Sequence, residues 1–246
     1  MVAKKPPETW FWSYDIESDQ IDSLLMPGMH LMRLSSYGTG KARRFAALAF
    51  KEPGSERGYL IDLPPGDVTA KVEAAGARPV AITAETLADD VRFSLVHAKG
   101  PGPLSSLHLD LDEAGLRALV DDSHTIADFA TYTVGGARKF AAIVEERTGP
   151  SWILLGLSAH ELDAKVLELG GTLVRLRPYV ENGQRRFAAV VDRSNVGPWA
   201  WYTDLDGDTV AKNLEENDSY PYDLDATRDE RGQLRFTVVM YRDRQS

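Results

Sequence analysis

Six charged residues stand out by type and place: Arg33, Asp128, Arg175, Arg177, Asp223 and Asp225. An arginine presents a planar fork of donors that meets a carboxylate through two parallel hydrogen bonds, and an aspartate accepts from an ammonium or a guanidinium. Two arginines gathered beside two aspartates would hold a zwitterionic or carboxylate-bearing small molecule, or a peptide end. The competing arrangement is structural, with Arg175 and Arg177 pairing with Asp223 and Asp225 of a neighbouring element, since structural ion pairs often mimic sites.

Other chemistry-bearing residues are weaker candidates. Asp204, Asp206, Asp208 and Glu215 match the spacing of a calcium loop, but Thr209 sits where that loop needs glycine, so the segment reads as a helix start and no metal is expected. His97 replaces an aliphatic residue found at the same place elsewhere (Ala49, Val144, Val191, Met240) and reads as a core histidine. His30, His108, His124 and His160 share no position or metal-ligand spacing. Trp10, Trp12, Trp199 and Trp201 could stack on a carbohydrate, though strand core is the commoner use of such aromatics. The chain has no cysteine, which excludes disulfides and a thiol nucleophile. Ser-x-x-Lys, Gly-x-Ser-x-Gly and phosphate-loop motifs are absent, so no catalytic residue and no cofactor is assigned.

The elements that must position these residues follow from a repeat. Phe45, Phe93, Phe140, Phe187 and Phe236, each preceded by Arg or Lys, are spaced 48, 47, 47 and 49 residues apart. Such a period marks copies of one supersecondary unit, each too small to bury its own apolar face. The fourth copy is the clearest. RRFAAVV and WAWYTDL read as strands, Ser158 with Glu161 as a capping box, Gly170-Gly171 as a helix end, and Asn182-Gly183 as a tight hairpin. Asp112 and Asp206 start helices in other copies, with Glu17 and Pro64 as weaker variants. Gly135-Gly136 and Gly38-Thr39-Gly40 supply further turns, and the glycine-free segment 85–91, with Glu85, Asp89 and Asp90, is expected to turn irregularly.

Each unit is read as strand, strand, helix, strand, in an α/β protein of five repeats. In the strand after the helix, Leu34, Ile82, Phe129, Leu176 and Leu224 are equivalent and apolar and should face the helix, while the opposite face is polar and varies between copies. WFWSYDI near the N-terminus resembles WAWYTDL, and the last copy stops short of such a segment. Residues 10–16 are therefore expected to pair with 235–241 and close a five-fold ring, as radially closed folds do, with the six charged residues lining its centre. Spacing further suggests that Arg44, Arg92 and Arg186 meet Asp62, Asp110 and Asp204, with Arg235–Asp15 closing the ring and Lys139 facing Gly156 instead of an acid.

Residues 1–9 read as a disordered tail and 10–246 as one domain. Apolar and charged residues make up 43% and 26%, an ordinary globular balance, and no signal-like or membrane-length apolar run occurs, so cytoplasmic location is expected. A net charge of −9 argues against nucleic acid or an anionic membrane as partner and leaves a small molecule or peptide.

The segments ARKFAAIVEERTGPSWILLGLSAHEL and GGTLVRLRPYVENGQRRFAAVVDR resemble the bacterial tandem repeat domains of about 47 residues found beside β-lactamase-like serine hydrolases, including polyglycine hydrolases. The resemblance implies a non-catalytic recognition role. Five such units in a ring also look like the pentein α/β-propeller, whose guanidine-modifying enzymes use a cysteine that this chain lacks. The leading functional expectation is a binding module using the polar centre or a rim. A cofactor-independent hydrolase or isomerase using the asymmetric carboxylates and arginines is one rival, and a structural assembly protein is the other.

Overall fold

The computed structural model describes residues 5–38, 40–51, 54, 56–87, 90–147 and 149–242. Five copies of one unit follow one another, and the protein is mostly β. Repeat 1 comprises β1 (Thr9–Ile16), α1 (Ile21–Leu24), β2 (Met29–Tyr37) and β3 (Arg44–Lys51); repeat 2 comprises β4 (Arg57–Leu63), α2 (Val68–Ala74), β5 (Arg78–Leu87) and β6 (Asp90–Ala98). Repeat 3 comprises β7 (Ser105–Leu111), α3 (Glu113–Arg117), β8 (His124–Val134) and β9 (Ala137–Glu146). Repeat 4 follows with β10 (Ser151–Leu157), α4 (Ala159–Leu169), β11 (Thr172–Glu181) and β12 (Gln184–Asp192), and repeat 5 with β13 (Trp199–Leu205), α5 (Gly207–Glu216), β14 (Ser219–Arg228) and β15 (Leu234–Arg242). Two compact units divide the chain, Pro7–Thr148 with repeats 1 to 3 and Gly149–Ser246 with repeats 4 and 5.

Each repeat is a three-stranded antiparallel sheet whose last strand lies in the middle, in the order β1-β3-β2 and its equivalents. This corrects the strand exchange expected from the sequence. Trp10 lies opposite Phe50 of its own repeat, and β15 takes β13 as its partner, Trp199 opposite Tyr241. The unit therefore runs strand, helix, strand, strand from its first residue, and no terminal strand completes a distant repeat.

Local chemistry explains the boundaries. The Asp112 carboxylate accepts from Gly115 N at 2.7 Å and Asp206 from Thr209 N at 2.8 Å, and Ser158 with Glu161 forms a full capping box. Gly170 ends α4 in the left-handed conformation. In repeat 1 the helix cap is Gln20 rather than Glu17, and Gln20 Oε1 accepts from the Glu17 amide. In repeat 2 a 3-10 turn, Pro65–Asp67, leads into α2. Asn182-Gly183, both at positive φ, turns β11 back into β12 with Glu181 opposite Gln184. Residues 88–89, where an irregular turn is expected, and Thr39 lie outside the described residues.

A second regularity was not anticipated. The first strand of every repeat slips register before its last residue, at Asp15, Asp62, Asp110, Gly156 and Asp204, with φ of 59°, 59°, 56°, 77° and 61°. Glycine reaches that region freely, and aspartate is among the few side chains that tolerate it. Tyr37 and Tyr132 secure two of these bulges, their hydroxyl oxygens accepting from the amides of Asp15 and Asp110 at 2.7 and 2.9 Å.

Bulge and pairing together reassign the ion pairs. Arg44 reaches Asp15 (3.8 Å) and Glu17 (2.9 Å), Arg92 reaches Asp62 (3.8 Å) and Asp90 (2.5 Å), and Lys139 reaches Asp110 (3.1 Å). Each acid belongs to the same repeat as its base, not to the next one as the spacing suggests. Arg186 and Arg235 instead meet Glu161 and Asp229.

The core sits between one sheet and the next. Ile21, Leu34 and Phe45 of repeat 1 cluster with Ala81 and Val96 of repeat 2, and Val68, Ile82 and Phe93 of repeat 2 with Ala130 and Ile143 of repeat 3. The five repeat phenylalanines are 0–2% exposed. Replacing Phe187 by Ala removes a whole ring from such a core and is expected to cost about 3–5 kcal/mol; urea denaturation of the two proteins at one pH measures it.

Candidate functional site

The middle strand of each sheet is paired on both sides, so β2, β5, β8, β11 and β14 are edges whose outward backbone groups find no partner within their own sheet. For β2, β5 and β11 the following repeat supplies partners. Asp128 Oδ2 on β8 accepts from the Ile82 amide on β5 at 2.8 Å, and Asp223 Oδ2 on β14 accepts from the Leu176 amide on β11 at 2.9 Å. Thr83 Oγ1 donates to the Leu34 carbonyl at 3.1 Å. Thr83, Asp128 and Asp223, on the polar face read as the wall of a channel, thus reach the preceding repeat.

The predicted site residues divide accordingly. In the Pro7–Thr148 unit, Arg33 Nη1 donates to Asp128 Oδ2 at 2.8 Å, with the small Ala81 at the same position of the intervening repeat; Arg33 and Asp128 are 3% and 0% exposed. In the Gly149–Ser246 unit, Arg177 meets Asp223 through Nη1–Oδ2 at 2.5 Å and Nη2–Oδ1 at 3.4 Å, and both side chains are buried. The structural arrangement therefore holds for this pair. Arg175 bonds the Val174 carbonyl at 2.7 Å and lies over the Tyr222 ring, while Asp225 is half-buried on β14 opposite Thr237.

A surface site that the sequence reading did not single out lies in the same unit. The ends of hairpins β11–β12 and β14–β15 border an open cleft of about 730 Å³, with Pro178, Tyr179 and Val180 on one side and Thr227 to Arg231 on the other. Arg185 and Asp204 line it as well. The second hairpin is well built at its turn. Asp229 Oδ1 accepts from the amides of Arg231 and Gln233 at 2.9 and 2.8 Å, Oδ2 accepts from Arg235 Nε at 3.1 Å, and Arg228 Nη1 donates to the Gly232 carbonyl at 2.6 Å. Against the desolvation that would raise it, these amides and Arg235 hold the Asp229 carboxyl below the usual carboxylate range. Arg185 Nη1 bonds the Asp204 carboxylate and Thr203 Oγ1.

The same junction occurs between repeats 1 and 2. Arg43 and Arg185 each stand two residues before the repeat phenylalanine, and Asp62 and Asp204 each occupy the bulge of the following repeat. Arg43 bonds Asp62 through Nη1 at 2.6 Å, as Arg185 bonds Asp204. Arg43 Nε also donates to Glu85 Oε2 at 2.7 Å. Glu85 lies opposite Arg92 in its sheet and Thr227 opposite Arg235, so the two hold equivalent positions. Burial pushes the Glu85 carboxyl up despite Arg43, and among the described residues its buried Oε1 has no hydrogen-bond partner.

His97 proves a core residue. It is 8% exposed and lies opposite Gly58, where a Cβ would come within 2.7 Å of its Cε1. Burial first, and then Lys99, lower its pKa, with Glu56 opposing. The calcium-like segment serves α5, whose cap is Asp206. Trp201 Nε1 donates to Asp163, and Trp12 stacks on Tyr14. Among the described residues no helix is long and apolar enough to cross a membrane.

No protein-family model matches the chain, and no curated protein matches it.

Two outcomes are expected from the buried polar groups. Asp223→Ala leaves the Arg177 charge buried without this carboxylate and should cost about 3–5 kcal/mol. Adding Arg177→Met should restore only part of that, because the Leu176 amide stays unbonded at about 1–3 kcal/mol; denaturation midpoints of the single and double variants decide this. His97 gives a pH dependence. Its folded pKa is depressed, so the folded state binds fewer protons than the unfolded one below about pH 6.5, and stability present above that pH is lost as the pH falls through the folded value. Urea midpoints taken between neutral pH and about pH 5 should fall less steeply for His97→Val than for the parent.

Proposed function

We propose that the protein is a non-catalytic binding module, and that the cleft between hairpins β11–β12 and β14–β15 holds a peptide or small molecule. The observation that carries this reading is the pair of equivalent junctions. Between repeats 1 and 2 the chain fills the junction with its own Glu85; between repeats 4 and 5 Thr227 stands at that position and a cleft opens. Tyr179, Pro178 and Val180 offer apolar surface beside arginines, the mixture that ligand sites use.

The buried charged residues suit this role less well. Arg33–Asp128 and Arg177–Asp223 are closed on one another away from solvent, so the binding function moves from the polar face to the hairpin ends. An acid–base enzyme requires a desolvated carboxylate that arginine does not neutralise, whereas Asp204 and Asp229 in the cleft are bonded by Arg185 and Arg235, and Glu230 stands exposed on the hairpin turn. The resemblance of repeats 3 and 4 to bacterial tandem repeat domains favours recognition as well.

Titrating the 15N-labelled full chain with an equimolar pool of random hexapeptides tests the reading. Amide shifts should concentrate at residues 178–185 and 227–235. Shifts confined to other regions, or none at millimolar pool concentration, would overturn it.

A further inference from the structure

The chain contains an internal answer to what the cleft takes. At the junction of repeats 1 and 2 the arginine is held by two carboxylates, Asp62 on Nη1 and Glu85 on Nε. At the junction of repeats 4 and 5 the first carboxylate is Asp204, but Thr227, in the place of Glu85, has neither the length nor the charge to supply the second. Among the described residues no side chain bonds Nε of Arg185, and its side chain is a third exposed, against about a tenth for Arg43. Thr227 and Arg185 both line the cleft, so the arginine whose counterpart Glu85 engages in one junction borders open space in the other.

We propose that the cleft recognises a carboxylate, which accepts from Arg185 Nε as Glu85 does from Arg43 Nε. The inference rests on the binding reading above and names its ligand class: a peptide or small acid bearing a carboxylate, with its apolar portion against Pro178, Tyr179 and Val180. A charge-assisted bond in a half-buried site gives both affinity and orientation. Arg231, exposed on the turn of the opposite hairpin next to Glu230, places a further positive charge along the approach. The carboxylate can come from a glutamate side chain or a chain terminus, and the chemistry at Nε is the same for both.

The test uses the full chain and four probes: acetyl-Gly-Glu-Gly-amide, acetyl-Gly-Gly-Leu with a free terminal carboxylate, acetyl-Gly-Gln-Gly-amide and inorganic phosphate. Binding is read by titration and by the Arg185 Nε–H resonance. At least one carboxylate peptide should bind about tenfold or more tighter than the glutamine peptide and move that resonance, and the tighter of the two identifies the source. Thr227→Glu should move the same resonance without any probe and weaken carboxylate binding about tenfold or more, because it rebuilds the Glu85 arrangement. Arg185→Gln should weaken it comparably and serves should the first variant not fold. The proposal falls if the glutamine peptide matches both carboxylates, if phosphate binds tighter than either, or if the folded variants bind as the parent does. Should the peptide pool still shift residues 178–185 and 227–235 in that case, the binding reading survives and only the carboxylate is wrong.

Discussion

A three-stranded sheet has two open edges, and the backbone groups along them must be satisfied wherever water is excluded. In this protein the second strand of a repeat is such an edge, and in repeats 1, 2 and 4 side chains of the following repeat meet it. Asp128 takes the Ile82 amide, Asp223 takes the Leu176 amide and Thr83 gives its hydroxyl proton to the Leu34 carbonyl. Much else follows from that need. A carboxylate that enters a dry junction to reach an amide brings a charge with it, and Arg33 and Arg177 are there to answer it. The apolar side chains of one repeat likewise find their complement on the back of the next sheet, so a single repeat lacks both part of its core and the partners for one of its edges.

The hairpin ends obey a looser rule. Near the surface an arginine needs only one good acceptor, and Arg43 and Arg185 both have it in the aspartate of the following bulge. What stands across from that arginine is free to vary. A glutamate there closes the junction at the cost of burying a second carboxylate, one oxygen of which is unbonded among the described residues; a threonine leaves room for something else. Scaffold and candidate site are thus versions of one local structure that differ by a side chain.

Much of this was legible in the residues. The period, the phenylalanines, the helix caps at Asp112, Ser158 and Asp206, the turns at Gly135-Gly136 and Asn182-Gly183 and the apolar series from Leu34 to Leu224 all report short-range physics, and each lies in the structure where the pattern puts it. The phase of the repeat was not legible, because a periodic chain reads alike from any starting point and only strand pairing tells which strand belongs to which sheet. The error in the ion pairs has the same origin: the aspartate following each arginine and the one preceding it are copies of one position, and the bulge brings the preceding one into reach. Polar residues alternating with apolar ones look solvated in sequence, and nothing in the pattern reveals that Asp128 and Asp223 are spent on backbone amides one repeat earlier in the chain, a separation that only folding closes. The cleft had a visible signal in the change from Glu85 to Thr227 at one repeat position, but its meaning required knowing where Arg43 and Arg185 point.

The contact between Gly58 and His97 limits the routes by which this sequence can have diverged from a more uniform repeat. The other repeats carry Phe11, Ser106, Trp152 and Ala200 opposite an aliphatic residue, whereas here an imidazole occupies the volume in which even a methyl group at position 58 would collide. A histidine arriving first would have met a side chain already in its way; a glycine arriving first would have left only a shallow defect for the ring to fill. The accessible order of substitution is glycine before histidine, and the same constraint orders the reverse path, because a side chain can return to position 58 only after the ring at position 97 has gone.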